Sequence, residues 1–116
     1  MHDFKRLRVW QMAMRLAVDI DPVTRAFPRG TSGEIGSQLR RSALSIPSTI
    51  AEGCGKESRA EMVRYLRIAL GSAKETENHL LIAGERGSLP RSQLDPLLER
   101  VQTIEKMLHS LTFRVP

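Results

Sequence analysis

The sequence predicts an all-α protein, an up-down-up-down bundle of four helices. Apolar residues recur at alternating spacings of three and four in four separate segments, the period of a helix with one buried face. Gly- and Pro-rich stretches divide those segments from one another. Nowhere is there a sustained period-two run rich in β-branched residues, so no strand is expected.

In the first segment Val9, Ala13, Leu16, Ile20, Val23 and Phe27 form one stripe, and Leu7, Trp10, Met14 and Ala17 form a second beside it. One helix with a wide apolar face accounts for both. Trp10 stands at the edge of the double stripe, which places it between helices or subunits rather than against a ligand. Asp21-Pro22 predicts a kink or break before Val23, because proline lacks the donor that the preceding turn needs. The stretch FPRGTSG, with Pro28, Gly30 and Gly33, ends this helix.

The second segment carries Leu39, Ala43, Ile46, Ile50 and Gly53 in register, with Pro47 in its middle. The register continues across the proline, so the expectation is a single helix kinked near Ala43 to Pro47. Ser42, Ser45 and Thr49 flank the stripe and are expected to bond the carbonyls that Pro47 frees. Such small side chains also let another helix come close, with Ala69, Ser72 and Ala73 as the natural partners. The run GCGKES ends this helix.

Ser58 followed by Glu61 is a capping box and places the third helix start there. Its stripe is Met62, Leu66, Ala69, Ala73, Thr76, Leu80 and Ala83, and GERGSLPRS closes it. The fourth helix is expected to begin between Pro90 and Asp95, with Asp95 as N-cap and Pro96 at the first helical position as an alternative. Leu94, Leu97, Val101, Ile104, Leu108 and Leu111 form its buried stripe.

At 116 residues the chain reads as one domain, residues 1–116, without internal repeats or low-complexity tracts. A single cysteine excludes an intrachain disulfide and fits a reducing compartment. No apolar run approaches the roughly 20 residues that cross a bilayer, and the N-terminus MHDFKRLRVW shows no signal-peptide pattern. A cytoplasmic protein with no membrane partner is the expectation. Lys and Arg number 18 against 13 Asp and Glu, a formal charge of +5 with pI near 10.1. That balance favours a polyanionic partner.

Residues able to do covalent or metal chemistry are few. Cys54 stands at a helix C-terminus, where the dipole disfavours a thiolate. His2, His79 and His109 share no metal-binding spacing. Glu75 and Glu77 are two apart on a helix and cannot pair by themselves. GCGKES lacks the Walker spacing. The reading is therefore a non-enzyme, with no catalytic residue, cofactor or metal site.

The basic residues carry the functional expectation. Arg64, Arg67 and Lys74 fall on the side of the third helix away from its core stripe, Arg41 points away from the second helix's core, and Arg40 lies at its edge. Lys5, Arg6 and Arg8 add an N-terminal cluster. One reading is a solvated face with salt bridges to which Glu52, Glu61, Glu75 and Glu77 contribute; alternatively, Arg40 and Arg41 bridge subunits through Glu52. The other is a platform for the phosphates of RNA or DNA, formed by Arg40, Arg41, Arg64, Arg67 and Lys74 and multiplied by oligomerisation. Aromatics are scarce, which argues for backbone contacts over base stacking. The wide apolar face of the first helix, together with Leu44 pointing away from its own core stripe, predicts a homo-oligomer, since a lone bundle cannot cover both surfaces.

Four blocks in order, VWQMAMRLA from Val9, TRAFP from Thr24, QLRRSALSIPSTIAEG from Gln38 and YLRIALGSAKETE from Tyr65, resemble the four-helix-bundle protein family associated with intervening sequences of bacterial 23S ribosomal RNA genes. The resemblance spans nearly the whole chain. It implies a homopentamer and a fold shared with the accessory variability protein of diversity-generating retroelements, which binds a reverse transcriptase and nucleic acid. A reverse transcriptase or another nucleic-acid-processing protein is thus an implied partner, and a protein-binding adaptor without nucleic-acid contact is the alternative. Thr49 stands where that family usually has asparagine, and Asp21-Pro22 replaces a typically aromatic or apolar pair.

Overall fold

A computed structural model describes residues 3–28 and 33–116. After a short 3-10 helix at Phe4–Arg6, four helices follow: α1 (Arg8–Arg25), α2 (Gly33–Cys54), α3 (Arg59–Glu85) and α4 (Arg91–Thr112). The described residues contain no strand. Each helix packs on the next in sequence and α4 returns to α1, closing a bundle with extents of 46 × 19 × 19 Å.

The helix starts and stops have local causes. Ser58 Oγ accepts from the Glu61 backbone N–H at 3.1 Å, satisfying an otherwise orphaned donor at the start of α3. At the other end of α3 the N–H of Ser88 reaches the Ala83 carbonyl and that of Gly87 the Gly84 carbonyl. This Schellman arrangement needs a left-handed residue, and Gly87 supplies it at φ 72°. The Gly55 N–H donates to Glu52 O and the Lys56 N–H to Gly53 O, closing α2.

Two prolines lie inside helices. α1 runs through Pro22 to Arg25 without a break. Pro22 is exposed, as is Val18, whose carbonyl loses the donor; the site therefore lies on the solvent side, where water can replace the lost bond. α4 begins at Arg91 with Pro90 as N-cap, inside the expected interval from Pro90 to Asp95; the alternative start at Asp95 and Pro96 is not used, and Pro96 lies inside the helix. The N–H groups of Gln93 and Leu94 both donate to the Pro90 carbonyl, and Leu94 is already buried in that first turn. Burial of Leu94 holds the earlier turn in helix. Pro47 also lies inside its helix, and it is buried. Gly30 and His2 lie outside the described residues.

The core follows the stripes. Every predicted core residue of α2 and α3 is buried, and those of α1 and α4 are buried apart from the half-buried Val23 and Leu111. Phe27 sits beyond the end of α1 yet still joins the core. Burial of about 25 cal/mol for each Å² of this apolar surface is the main force for assembly. Leu7, Trp10, Met14 and Ala17 are only half-buried. Trp10 packs edge-on against Phe4, ring centres 5.0 Å apart.

α2 and α3 approach closely through small side chains, as expected. A Cβ built at Gly53 would fall 2.8 Å from the Tyr65 Cβ. The hydroxyls beside Pro47 do not turn back on their own helix in the expected way. Ser42 Oγ bonds Leu39 O, Thr76 Oγ1 donates to Ser42 Oγ at 2.9 Å, and Ser45 Oγ meets Ser72 Oγ at 2.8 Å and Thr49 Oγ1 at 3.4 Å. A chain of hydroxyls thus stitches α2 to α3, because the buried oxygens find partners across the seam at close range.

Candidate nucleic-acid interface

Arg64 and Arg67, three residues apart on α3, share one exposed face. The Arg64 guanidinium lies 5.1 Å from the centre of the Tyr65 ring, and the Lys56 ammonium approaches the same ring at 4.8 Å. Tyr65 therefore holds two cations near the α2–α3 turn. Arg64 Nε is 3.8 Å from Glu61 Oε1, a long contact between exposed groups that leaves much of the positive charge facing solvent. Arg59 donates to the carbonyl of Val115 at 2.8 Å, drawing the C-terminal segment, with Arg114, to the start of α3.

The same end of the bundle receives the start of α1. Lys5, Arg6 and Arg8 are exposed there, next to the end of α2. The acids nearby in sequence are Asp3, Glu52, Glu57 and Glu61, so bases outnumber acids about two to one. At the opposite end the balance is more even. Arg25 is paired with Asp21 and Arg91 with Asp95 there, and further along the bundle Arg100 is paired with Asp19. Among the described residues the positive excess is greatest at the end of the bundle where α2 passes into α3.

The five residues singled out in the sequence do not form one patch. Arg64 and Arg67 are together. Arg41 is exposed but borders a hollow with Gln38, Ser42, Ser45 and Glu75, and Glu75 is eleven residues along α3 from Arg64, about 16 Å at 1.5 Å per residue. Arg40 turns toward α1, where its Nη1 donates to Thr24 Oγ1 at 2.9 Å. Lys74 reaches α4, with Nζ 2.8 Å from Glu105 Oε1 and 4.0 Å from Glu77 Oε1. The hydrogen bond to Glu105 and its negative charge push the Lys74 ammonium to a higher pKa, so it stays charged but is already partnered. Lys56, Arg59 and Arg114 carry no sequence signal of their own. The antiparallel topology, which lays the end of α4 beside the start of α3, is what gathers them.

The remaining chemistry is sparse. Burial pushes the Cys54 thiol above its ordinary pKa, the opposite of an activated nucleophile. Among the described residues no cluster of His, Cys, Asp or Glu is arranged to hold a metal ion, and no helix is long and apolar enough to cross a membrane. Ser42 Oγ lies 3.4 Å from His79 Nδ1, but Ser42 is buried and bonded within the hydroxyl seam.

A sequence profile of the family described as 23S rRNA-intervening sequence protein matches residues 5–110. Among solved structures, this chain is similar to a protein of unknown function from the S23 ribosomal protein family of Bacteroides thetaiotaomicron. The identity is 28% and the TM-score 0.81, with 90% of this chain and 97% of that one covered. No curated protein matches the sequence.

Proposed function

Since the chain belongs to the 23S rRNA-intervening sequence protein family, we propose that it is a non-enzymatic, cytoplasmic bundle that self-assembles and binds the phosphate backbone of RNA or DNA. The observation that carries this reading is the concentration of exposed cations at the α2–α3 end, with Arg64 and Arg67 on one face and Lys56 beside them. Phosphate contacts position a nucleic acid without reading its bases, so little sequence preference is expected. In this reading a homopentamer repeats the basic end around a ring, with Leu44 and Ile68 among the apolar residues it covers. Pro47 bends α2 near Ala43 and brings its hydroxyls against α3. A reverse transcriptase or another nucleic-acid-processing protein is the kind of partner such an assembly serves.

Fluorescence anisotropy with labelled RNA and DNA over a salt series tests the proposal. Affinity should fall by roughly 0.7 to 0.9 log units per log unit of salt for each phosphate neutralised. An assembled protein with no salt-dependent binding near physiological ionic strength would instead support an adaptor that contacts only proteins.

A further inference from the structure

Glu105 is a charged residue in an apolar register. It lies four residues after Val101 and three before Leu108, both fully buried, and is itself only 7% exposed. Its two oxygens differ. Oε1 receives the Lys74 ammonium at 2.8 Å, while Oε2 is buried with no hydrogen-bond donor among the described residues. A carboxylate oxygen left so is costly, and native structures seldom tolerate one.

The neighbouring acid is Glu77 on α3. Its Oε1 is 4.0 Å from the same Lys74 Nζ, and its Oε2 accepts from Gln102 Nε2 at 3.0 Å. Both carboxyls line a groove of about 460 Å³ between α3 and α4 with Leu70, Lys74, Gln102, Lys106 and His109. One ammonium therefore serves two acids, one of them buried. Oε2 is too enclosed for a ligand atom to reach, but a proton needs no such room.

We propose that Glu77 and Glu105 share one proton, held on Glu105 and donated to Glu77, and that this carboxyl pair makes the α3–α4 seam sensitive to pH. The proton converts the orphaned Oε2 into a donor and relieves the repulsion between two carboxylates beside a single lysine. Other charged or titratable groups at the groove are Lys106 and His109 on α4, both exposed. From α1, Arg15 borders a separate hollow with Arg100 and Ile104, and Asp19 pairs with Arg100 at 3.0 Å. The backbones of α2 and α4 do not come close to each other.

The two acids titrate in opposite directions. Burial, then the Glu77 carboxylate, push the Glu105 carboxyl up; the hydrogen bond from Glu105, then that from Gln102, hold Glu77 down. The stability contributed by Glu105 is thus complete at acid pH and is lost as pH rises through its raised folded value. That of Glu77 is complete above the ordinary glutamate range and is lost as pH falls through its lowered value. Between the two the pair holds one proton, and its apparent pKa values belong to the pair.

The test is a ¹³C carboxyl NMR titration of the unmodified protein, joined to thermal melts of Glu105→Gln and Glu77→Gln across pH 4 to 9. The Glu105 carbon should titrate above the ordinary glutamate value of about 4.3, and in Glu77→Gln its midpoint should move down. Glutamine at 105 can donate permanently to Glu77, so the Tm advantage of Glu105→Gln over the parent should grow as pH rises. A Glu105 midpoint at or below the ordinary value would overturn the proposal, because Lys74 would then be holding an ordinary carboxylate. A Tm difference independent of pH would overturn it as well.

Discussion

The hydroxyl of Ser45 in α2 meets that of Ser72 in α3 at 2.8 Å, where the two helices pack against each other. With Thr76 and Ser42 it forms a polar stitch between the two helices. Ser72→Ala should cost about 1 kcal/mol, the typical net value of one hydrogen bond. Ser72→Leu should cost more, about 1–3 kcal/mol, because the helices are too close to admit the longer side chain. Urea denaturation of both variants checks the order; a leucine variant as stable as the parent would mean that the seam has slack.

Two glycines provide a matched comparison. Gly53→Ala would drive a Cβ to 2.8 Å from the Tyr65 Cβ, an atom that cannot swing away without moving α3, whereas Gly71 has nothing within 4 Å. Gly53→Ala should destabilise by about 1–3 kcal/mol. Gly71→Ala should stabilise by about 0.5–1 kcal/mol through helix propensity. Denaturation midpoints moving in the same direction would contradict this account of α2–α3 packing.

Cys54 is 1% exposed and its thiol is pushed up by burial. In the native protein it should react with a disulfide reagent far more slowly than in urea, and the native rate should still be climbing with pH above the ordinary thiol value of about 8.5. A fast reaction saturating below neutral pH would reopen nucleophilic chemistry at this residue.

The core is legible because helical period alone assigns a face. Met62, Leu66, Ala69, Ala73, Thr76, Leu80 and Ala83 read as one stripe, and all are buried. Partnership is less legible. Lys74 reads as exposed on α3 and is exposed, yet its charge is spent on Glu105, a residue from another helix. Glu105 does not stand out in the sequence because charged residues are seldom buried, although its spacing from Val101 and Leu108 places it on the core side. Arg40 reads as lying at the edge of its helix, but its bond to Thr24 depends on how the end of α1 meets α2, which periodicity does not encode. The hydroxyls beside Pro47 cross the seam for the same reason.

Leu44, next to Ser45, is 61% exposed, and Ile68, one turn before Ser72, is 43% exposed. If a neighbouring subunit covers this outer surface, Leu44→Lys should reduce the oligomer toward a chain mass of 13.1 kDa while helicity is retained. Light scattering with circular dichroism reads both. A parent protein that is already monomeric at micromolar concentration would remove the assembly from the account.

If the α2–α3 end of the bundle binds phosphates, a paired charge reversal there should weaken binding more than the same reversal at the opposite end. Arg64→Glu with Arg67→Glu changes the proposed interface, while Arg25→Glu with Arg91→Glu makes the same change in net charge at the opposite end. Affinity for labelled RNA and DNA is measured at matched salt, in proteins shown to assemble like the parent. The first pair should weaken binding at least about tenfold more than the second and lower the salt slope by about one unit for each phosphate that is no longer neutralised. Equal weakening by the two pairs would contradict phosphate binding at the α2–α3 end, since binding would then follow total charge and not this surface.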